Sequence, residues 1–417
     1  MTGSTTRRNS PLVTQQAQPL RAQAAAQPLR RRPILAQGRT LRPSTKVLPE
    51  HARDHNRALV LQTLYGTGEM SRADIARETG LTRVTVSDLV AELIGTGIIE
   101  EKGQREGSRP GKPATLIDIN RSAHQIIGID LADASVFRAA VLDLDGVVLA
   151  RAEIALAGSI GEEAIAKVVD LALRIVAAAT ATILGVGVGS PGIVDLDGTV
   201  LAAPNLGWNR VALQQRLETS LRLPVVVAND ANAAVLAEYG FGGSDGDIML
   251  VTVGHGVGAG LLVGGNPLYG GRFAAGEIGH VVVGTDGGSL CACGKTACLE
   301  TWLATPRIDA LLARIEASSL DEAEQESARD AVLRAAGERL GIALAPVVGA
   351  LNLSEIVLSG PTELLDGPLA AATIETLRGR TMAEFHGDLT LRMTTQGQDI
   401  VLRGAAVMVL QGQLGVS

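Results

Sequence analysis

Cys291, Cys293 and Cys298 are the only cysteines in a chain of 417 residues, and all three fall between Leu290 and Leu299. His280 precedes them in the same Gly-rich stretch. Thiolates and imidazole are the donors that tetrahedral Zn²⁺ prefers, and one His with three Cys closes a four-ligand site. Buried apolar cysteines or a redox pair are the alternatives. Scattered core cysteines would not cluster so tightly in a chain so poor in them, and Gly294 after Cys293 suits a tight ligand-bearing turn. Zinc is the expected cofactor.

A second group has the chemistry of nucleic-acid contact. Ser71-Arg-Ala-Asp74 reads as a helix start in which the hydroxyl caps and the carboxylate reaches back, and that helix stops at Thr79-Gly80. Thr82 opens the next helix, with Val86, Leu89, Val90, Leu93 and Ile94 at the spacing of a buried stripe. Its other face shows Thr82, Arg83, Thr85 and Ser87. Helix, Gly-containing turn and helix make a helix-turn-helix, whose second helix is the DNA reader. Gly97–Glu100 and Thr115–Ile119 read as paired strands. The basic loop between them places Arg109 and Lys112 to touch phosphate or a minor groove. A three-helix interaction module without DNA is the alternative; the winged loop favours double-stranded DNA as partner. Asp88 on the reading helix is repulsive unless it faces a cytosine amino group or lies off the interface.

Composition sets the bounds for the elements that must position these residues. Hydrophobic residues make up 46% of the chain and aromatics only 2%, so a large core must be built from Ala, Val and Leu. No uninterrupted apolar run approaches the roughly 20 residues that cross a bilayer. The polar, Arg-rich N-terminus has no signal-peptide character. Clustered cysteines fit a reducing cytoplasm better than a disulfide framework, so a cytoplasmic protein without membrane partners is expected. The net charge of −7 does not point to nucleic acid, but the charge is uneven, and residues 1–50 are rich in Arg. That segment reads as a disordered basic tail, either a solvated extension or an arm attracted to DNA phosphates.

The organisation that follows is a winged helix-turn-helix over 51–120 and an α/β region over 121–417. Ile126–Leu131, Val136–Leu142 and Val147–Ile154 read as an antiparallel meander, followed by a helix from about Gly161 to Ala179 and a buried strand from Ile183. A second meander begins at Ile248 and returns through Ala259–Val263 after a Gly-rich turn. The repeated opening predicts two lobes with a cleft between them, the second over about 240–395, in the duplicated actin-like/ribonuclease H-like ATPase architecture.

From about Ile126 onward the chain resembles the ROK family of repressors and sugar kinases. The family motif E-x-G-H followed by C-x-C-G-x-x-G-C-x-E is met by Glu277 through Glu300, except that Ala297 stands for the last Gly. With the winged helix, the chain resembles a ROK transcriptional regulator. The resemblance implies a sugar held by Asn205 in Pro204-Asn-Leu-Gly-Trp208, by Asn229 and Asp230 in Val227-Ala-Asn-Asp-Ala-Asn232, and by Glu277, His280 and Glu300. Such side chains supply the dense hydrogen bonding that sugars need, and His280 has one ring nitrogen for zinc and one for ligand. Asp230 could also N-cap the helix that follows it.

In ROK kinases the position of Asp230 is the general base, so an ATP-dependent sugar kinase with an appended DNA-binding domain is the rival expectation. The phosphate loops decide between them. The family's D-x-G-G-T is here Asp130-Leu-Ala-Asp-Ala134, which loses both glycines and the Thr and adds the charge of Asp133. Its G-T-G-x-G is Gly254-His-Gly-Val-Gly258, and its Gly-rich adenosine segment is Ser359-Gly-Pro361. The expectation is therefore a non-enzymatic sensor of a sugar or sugar phosphate, in which Asp230 is a vestigial base. A homodimer or homotetramer is expected to bind the operator. Arg83→Ala should relax sequence preference in a binding titration, whereas Arg109→Ala should weaken all DNA and lower the salt dependence.

Overall fold

The computed structural model describes residues 49–104, 114–244, 246–284, 287–382 and 389–416. The basic-tail reading up to residue 48, and the placements of Arg109 and Lys112, lie outside the described residues.

The first unit comprises α1 (Pro49–Thr67), β1 (Met70–Ser71), α2 (Arg72–Thr79), α3 (Arg83–Gly95), β2 (Ile99–Gln104) and β3 (Thr115–Ile119). Ser71 caps α2 as its spacing predicts: its Oγ accepts from Asp74 N at 3.2 Å, and Asp74 Oδ2 accepts from Ser71 N at 3.3 Å. Gly80, at φ 70°, ends α2 in the left-handed conformation that an L side chain resists. Thr82 then caps α3, which buries Val86, Leu89, Val90 and Leu93. β3 pairs antiparallel with β2 on one side and with the two-residue β1 on the other, completing the wing sheet.

The first lobe follows with β4 (His124–Asp130), β5 (Val136–Leu142), β6 (Val148–Ala155), α4 (Gly161–Ala177), β7 (Thr182–Ser190), β8 (Ile193–Val194), β9 (Val200–Ala203), β10 (Trp208–Val211), α5 (Leu213–Leu221), β11 (Val225–Asn229) and α6 (Asp230–Phe241). The second contains β12 (Ile248–Val253), β13 (Val257–Val263), β14 (Asn266–Pro267), α7 (Glu300–Leu303), α8 (Thr305–Glu316), α9 (Glu322–Leu351), β15 (Glu355–Ser359), α10 (Thr362–Leu365), α11 (Pro368–Arg380) and β16 (Thr390–Met393). The chain closes with α12 (Ile400–Gln413).

The duplication reaches further than the repeated hairpin. One sheet runs β11-β7-β4-β5-β6 and the other β14-β13-β12-β15-β16. In each, an antiparallel meander is extended by two strands parallel to its first strand. Each fifth strand feeds a helix that crosses to the other lobe's sheet or back. α6 lies against β12 and β13, where Gly260 meets the Ala231 carbonyl; an added Cβ would stand 2.2 Å from that oxygen. α12 returns to β4 and β7, where Gly187 meets the Ala405 carbonyl at 2.1 Å on the same measure. The two helices touch at Gly404, where a Cβ would lie 1.8 Å from the Ala233 oxygen. The buried surface around them is continuous with the winged-helix core: Leu410, Leu414 and Val416 share one cluster with Val60, Leu61 and Leu64.

Gly404→Ala is expected to force the helices apart and cost about 1–3 kcal/mol. Gly349→Ala, on an exposed part of α9 with only Thr381 Cγ2 at 4.0 Å, should instead stabilise by about 0.5–1 kcal/mol. Urea unfolding of both variants checks the contrast.

Candidate functional site

The carboxyl ends of parallel strands β4, β7 and β11 lie side by side, with Asp130 opposite Gly189 and Asn229 opposite Ser190. Ligands of open α/β sheets bind outside such ends. Asp130 is buried, its Oδ1 accepting from Ala132 N at 2.9 Å. Burial pushes its carboxyl up to about 6, against that amide and Arg138. Asp130 is not among the site residues that the motifs imply, because the loop it opens lacks the motif's glycines. A charged residue ending the apolar run Ile126–Ile129 was the available signal.

The helix cap falls on Asn229 and not on Asp230, for which capping was the alternative role. Asn229 keeps extended torsions (φ −62°, ψ 144°), and its Oδ1 accepts from Asn232 N at 3.0 Å. Asp230 already has helical position and cannot reach that amide. The Asn229 amide donates to Gly192 O and to Asp230 Oδ1, both at 2.9 Å, so Asn229 holds the carboxylate in place. Asp230 Oδ1 also accepts from Ala231 N at 2.8 Å. Burial first, then the charges of Asp130 and Glu277, raise the Asp230 carboxyl to about 7.

Glu277 precedes the 3₁₀ turn Ile278–His280, and its carboxyl is raised by desolvation and by Glu300, against the pull of His280. Glu300 begins α7; its Oε2 accepts from Val257 N at 3.4 Å and its Oε1 lies 3.6 Å from Cys291 Sγ. Asp130, Asp230, Glu277, His280 and Glu300 thus form a chain of mutually interacting groups. Asn205 is exposed on the 3₁₀ turn after β9. Its strand passes Gly192, where a Cβ would stand 2.0 Å from Ala202 O, so the Asn205 turn borders the corner fixed by Asn229.

His280, Cys291, Cys293 and Cys298 place one donor atom each within 4.8 Å of one another. Bond lengths of about 2.1 Å to nitrogen and 2.3 Å to sulfur put tetrahedral neighbours about 3.6–3.8 Å apart. Cys293 and Cys298 Sγ are 3.5 Å apart, and Cys291 Sγ is 3.6 Å from His280 Nδ1, so the donors fit such an ion. With Nδ1 turned to the thiols, Nε2 is the nitrogen left for a ligand. Burial and the neighbouring thiols push Cys298 up to about 12, so a cation must displace its proton. Ala297, where the family motif has Gly, takes φ 63°. That left-handed position explains the family's glycine, and an alanine there costs of order 1 kcal/mol.

The first loop differs from expectation in one respect. Asp133 is not a bare charge: Oδ2 accepts from Arg138 Nη2 at 3.1 Å, and Oδ1 from Ser135 N at 2.7 Å. Against the push of burial, these Ser135 and Arg138 contacts hold its carboxyl below the usual range. The direct repulsion of a phosphate is accordingly smaller. The amides of Ala132 and Ser135 donate to Asp130 and Asp133. In the second loop, Gly254 N donates to Gly256 O at 2.9 Å, Val257 N faces Glu300, and His255 is exposed.

On the reading helix, Thr82, Arg83 and Ser87 are exposed and Thr85 is half-buried. The Thr82 and Thr85 hydroxyls lie 2.9 Å apart, and Thr82 Oγ1 accepts from Thr85 N at 3.2 Å, so both belong to the cap. Asp88 lines a hollow of about 270 Å³ with Arg53 of α1. Arg53 also pairs with Glu92, which draws that acidic side of α3 toward α1.

A sequence profile of the ROK family matches residues 126–412. The xylose repressor of Caldicellulosiruptor bescii is 29% identical over 387 residues, spanning 86% of this chain and 96% of that protein. The crystal structure of a ROK family transcriptional regulator, a homolog of the E. coli MLC protein, superposes with a TM-score of 0.75 and 26% identity over 88% of this chain and 98% of that one. A ROK family glucokinase from Streptomyces griseus, solved with glucose and AMPPNP, superposes with a TM-score of 0.58 and 27% identity over 69% of this chain and 100% of the enzyme. The regulator likeness therefore takes in more of the chain than the enzyme likeness does.

Asp230 binds its proton more tightly folded, at about 7, than unfolded, at about 3.9. Between these values the folded chain holds the extra proton, so this residue's contribution to stability falls as pH rises from about 4 to about 7. Asp230→Asn should raise the melting temperature by a few degrees at pH 8 and hardly at all at pH 4, measured by circular dichroism. An equal shift at both pH values would show that carboxylate burial is not the cause.

Proposed function

The chain belongs to the ROK family, and from that membership we propose that it is a sugar-responsive, DNA-binding repressor of transcription. The observation that carries this reading is one chain joining a winged helix to a polar cluster at the carboxyl ends of β4, β7 and β11. That cluster has the donors and acceptors of a sugar site, and in its first loop the amides of Ala132 and Ser135 donate to Asp130 and Asp133. The chain's likeness to a xylose repressor over 86% of its length points the same way.

In this proposal Asn205, Asp230, Glu277, His280 and Glu300 hold the sugar hydroxyls, and Asn229 orients Asp230. The effector is an uncharged sugar, because the groups acting on Asp230 are two further carboxylates and a phosphate would meet them. His280, Cys291, Cys293 and Cys298 hold zinc, which when bound fixes the imidazole tautomer and the loop between Glu277 and Glu300. The operator is double-stranded DNA, read by the first turns of α3 and by the wing with Arg109 and Lys112. Two copies of the chain set the spacing of two winged helices, and closure of the lobes on sugar changes it. No helix among the described residues is long and apolar enough to cross a membrane, which fits a cytoplasmic regulator.

One observation favours the kinase reading: Asp230, at about 7, is poised as a general base would be. Two assays separate the readings. In the first, genomic fragments are bound in the presence of neutral sugars, with xylose foremost, and of their phosphates. A neutral sugar should weaken operator binding at least about tenfold, an allosteric coupling of ordinary size; the phosphates should not, and Asp230→Ala should abolish the response. If no sugar changes DNA affinity, the sensor reading fails. In the second, ADP release should stay at background, and turnover removed by Asp230→Asn would restore the kinase.

A further inference from the structure

The outward face of α3 carries an apolar pole that folding does not explain. At about 100° per residue, Val84 stands about 170° round the helix from the buried stripe of Val86, Leu89, Val90 and Leu93. Ala91, two turns on, falls on the same line and is exposed. Val84 is 71% exposed, more than any other large hydrophobic side chain among the described residues. A β-branched residue is mildly unfavourable in a helix, so neither packing nor propensity selects it. Three polar groups near it are turned elsewhere. The hydroxyls of Thr82 and Thr85 close the cap, and Asp88 lines the hollow beside α1 that Arg53 shares. The cap also holds the first turn, and with it Val84, in a fixed place.

We infer that Val84 is a specificity-determining residue that packs against the C5-methyl of a thymine in the operator. The inference rests on the DNA-binding reading above and deepens it. An α-helix entering the major groove leads with its N-terminal residues, and Val84 is the second residue of α3. Every base presents hydrogen-bonding groups on the groove floor, and thymine adds to its O4 a methyl, the floor's apolar feature. Against any other base, the isopropyl group would strip water from a donor or acceptor and give nothing in return. Val84 therefore selects twice: it gains apolar contact with thymine and penalises the alternatives. Arg83 and Ser87 flank it on one side, within reach of neighbouring edges or phosphates.

The test uses the full chain and an operator selected by it from a random duplex library. Each thymine of the selected sequence is then replaced singly by uracil, which removes only the methyl group. At one position, or at two related by symmetry, uracil should weaken wild-type binding about fourfold, the worth of one buried methyl-sized group. The Val84→Ala protein should bind thymine and uracil operators alike there and melt with the wild type, since the side chain is exposed. If no uracil substitution matters, or if its penalty survives in Val84→Ala, the inference is overturned while DNA reading stands. If the chain selects no sequence at all, the DNA-binding reading falls and the inference falls with it.

Discussion

The close approach of α6 and α12 is the constraint on which the molecule depends. A single hydrogen at Gly404 lets one helix rest on the Ala233 carbonyl of the other. Gly187 and Gly260 let each helix sit equally close to a sheet. The nearest atom at each of the three is a backbone carbonyl oxygen, which cannot swing aside as a long side chain can, so the spacing is fixed by steric contact. α6 starts at Asp230, so the position of the central carboxylate is set by the same contact. The far end of α12 lies in the core shared with α1, through Leu414 and Val416, and Gly415 packs on Ala58. Tyr65 adds a hydrogen bond to Leu144 O at 2.6 Å across the same junction. The winged helix is thus attached to the element that carries the site.

Electrostatics give the site its character. Asp130 is buried, and its charge adds to desolvation in making Asp230 harder to ionise. Keeping these carboxyl groups out of water costs stability. The first loop tells a complementary story. Its backbone amides face the side chains of Asp130 and Asp133, and Arg138 neutralises the latter. Two of its backbone donors, at Ala132 and Ser135, thus have partners inside the loop.

The loop between Glu277 and Glu300 joins one His and three Cys that could hold a metal ion to the polar cluster. Cys291 lies within 3.6 Å of both His280 Nδ1 and Glu300 Oε1. Two isolated bridges, Val282 to Cys298 and Leu290 to Thr296, give the loop its shape, and the strained Ala297 sits between them over Gly288. A backbone held in an unfavourable conformation persists only where its surroundings over-determine it, and four converging donors do that here.

Much of this was legible in the amino-acid sequence, and the reason is distance along the chain. The Ser71–Asp74 capping box, the stripe of α3, the hairpins and the four metal donors depend on neighbours within one turn or one loop. Torsional preference, periodicity and ligand spacing encode such features locally. The sequence by itself therefore determined the kind of elements, the winged helix, the duplicated meander and the metal knuckle. Tertiary structure decided which groups face one another. Asp130 meets Asp230 only because β4, β7 and β11 are laid parallel in that order. The cap falls to Asn229 because the strand ends there in extended torsions and the helix begins at Asp230. Asp133 becomes a paired charge because β5 presents Arg138 toward it. The return of α12 to the first lobe has no local signature either, since its glycines matter only once a carbonyl from another element stands against them. Proximity between groups far apart in the chain is a property of sheet order and helix packing, and only the folded structure sets it.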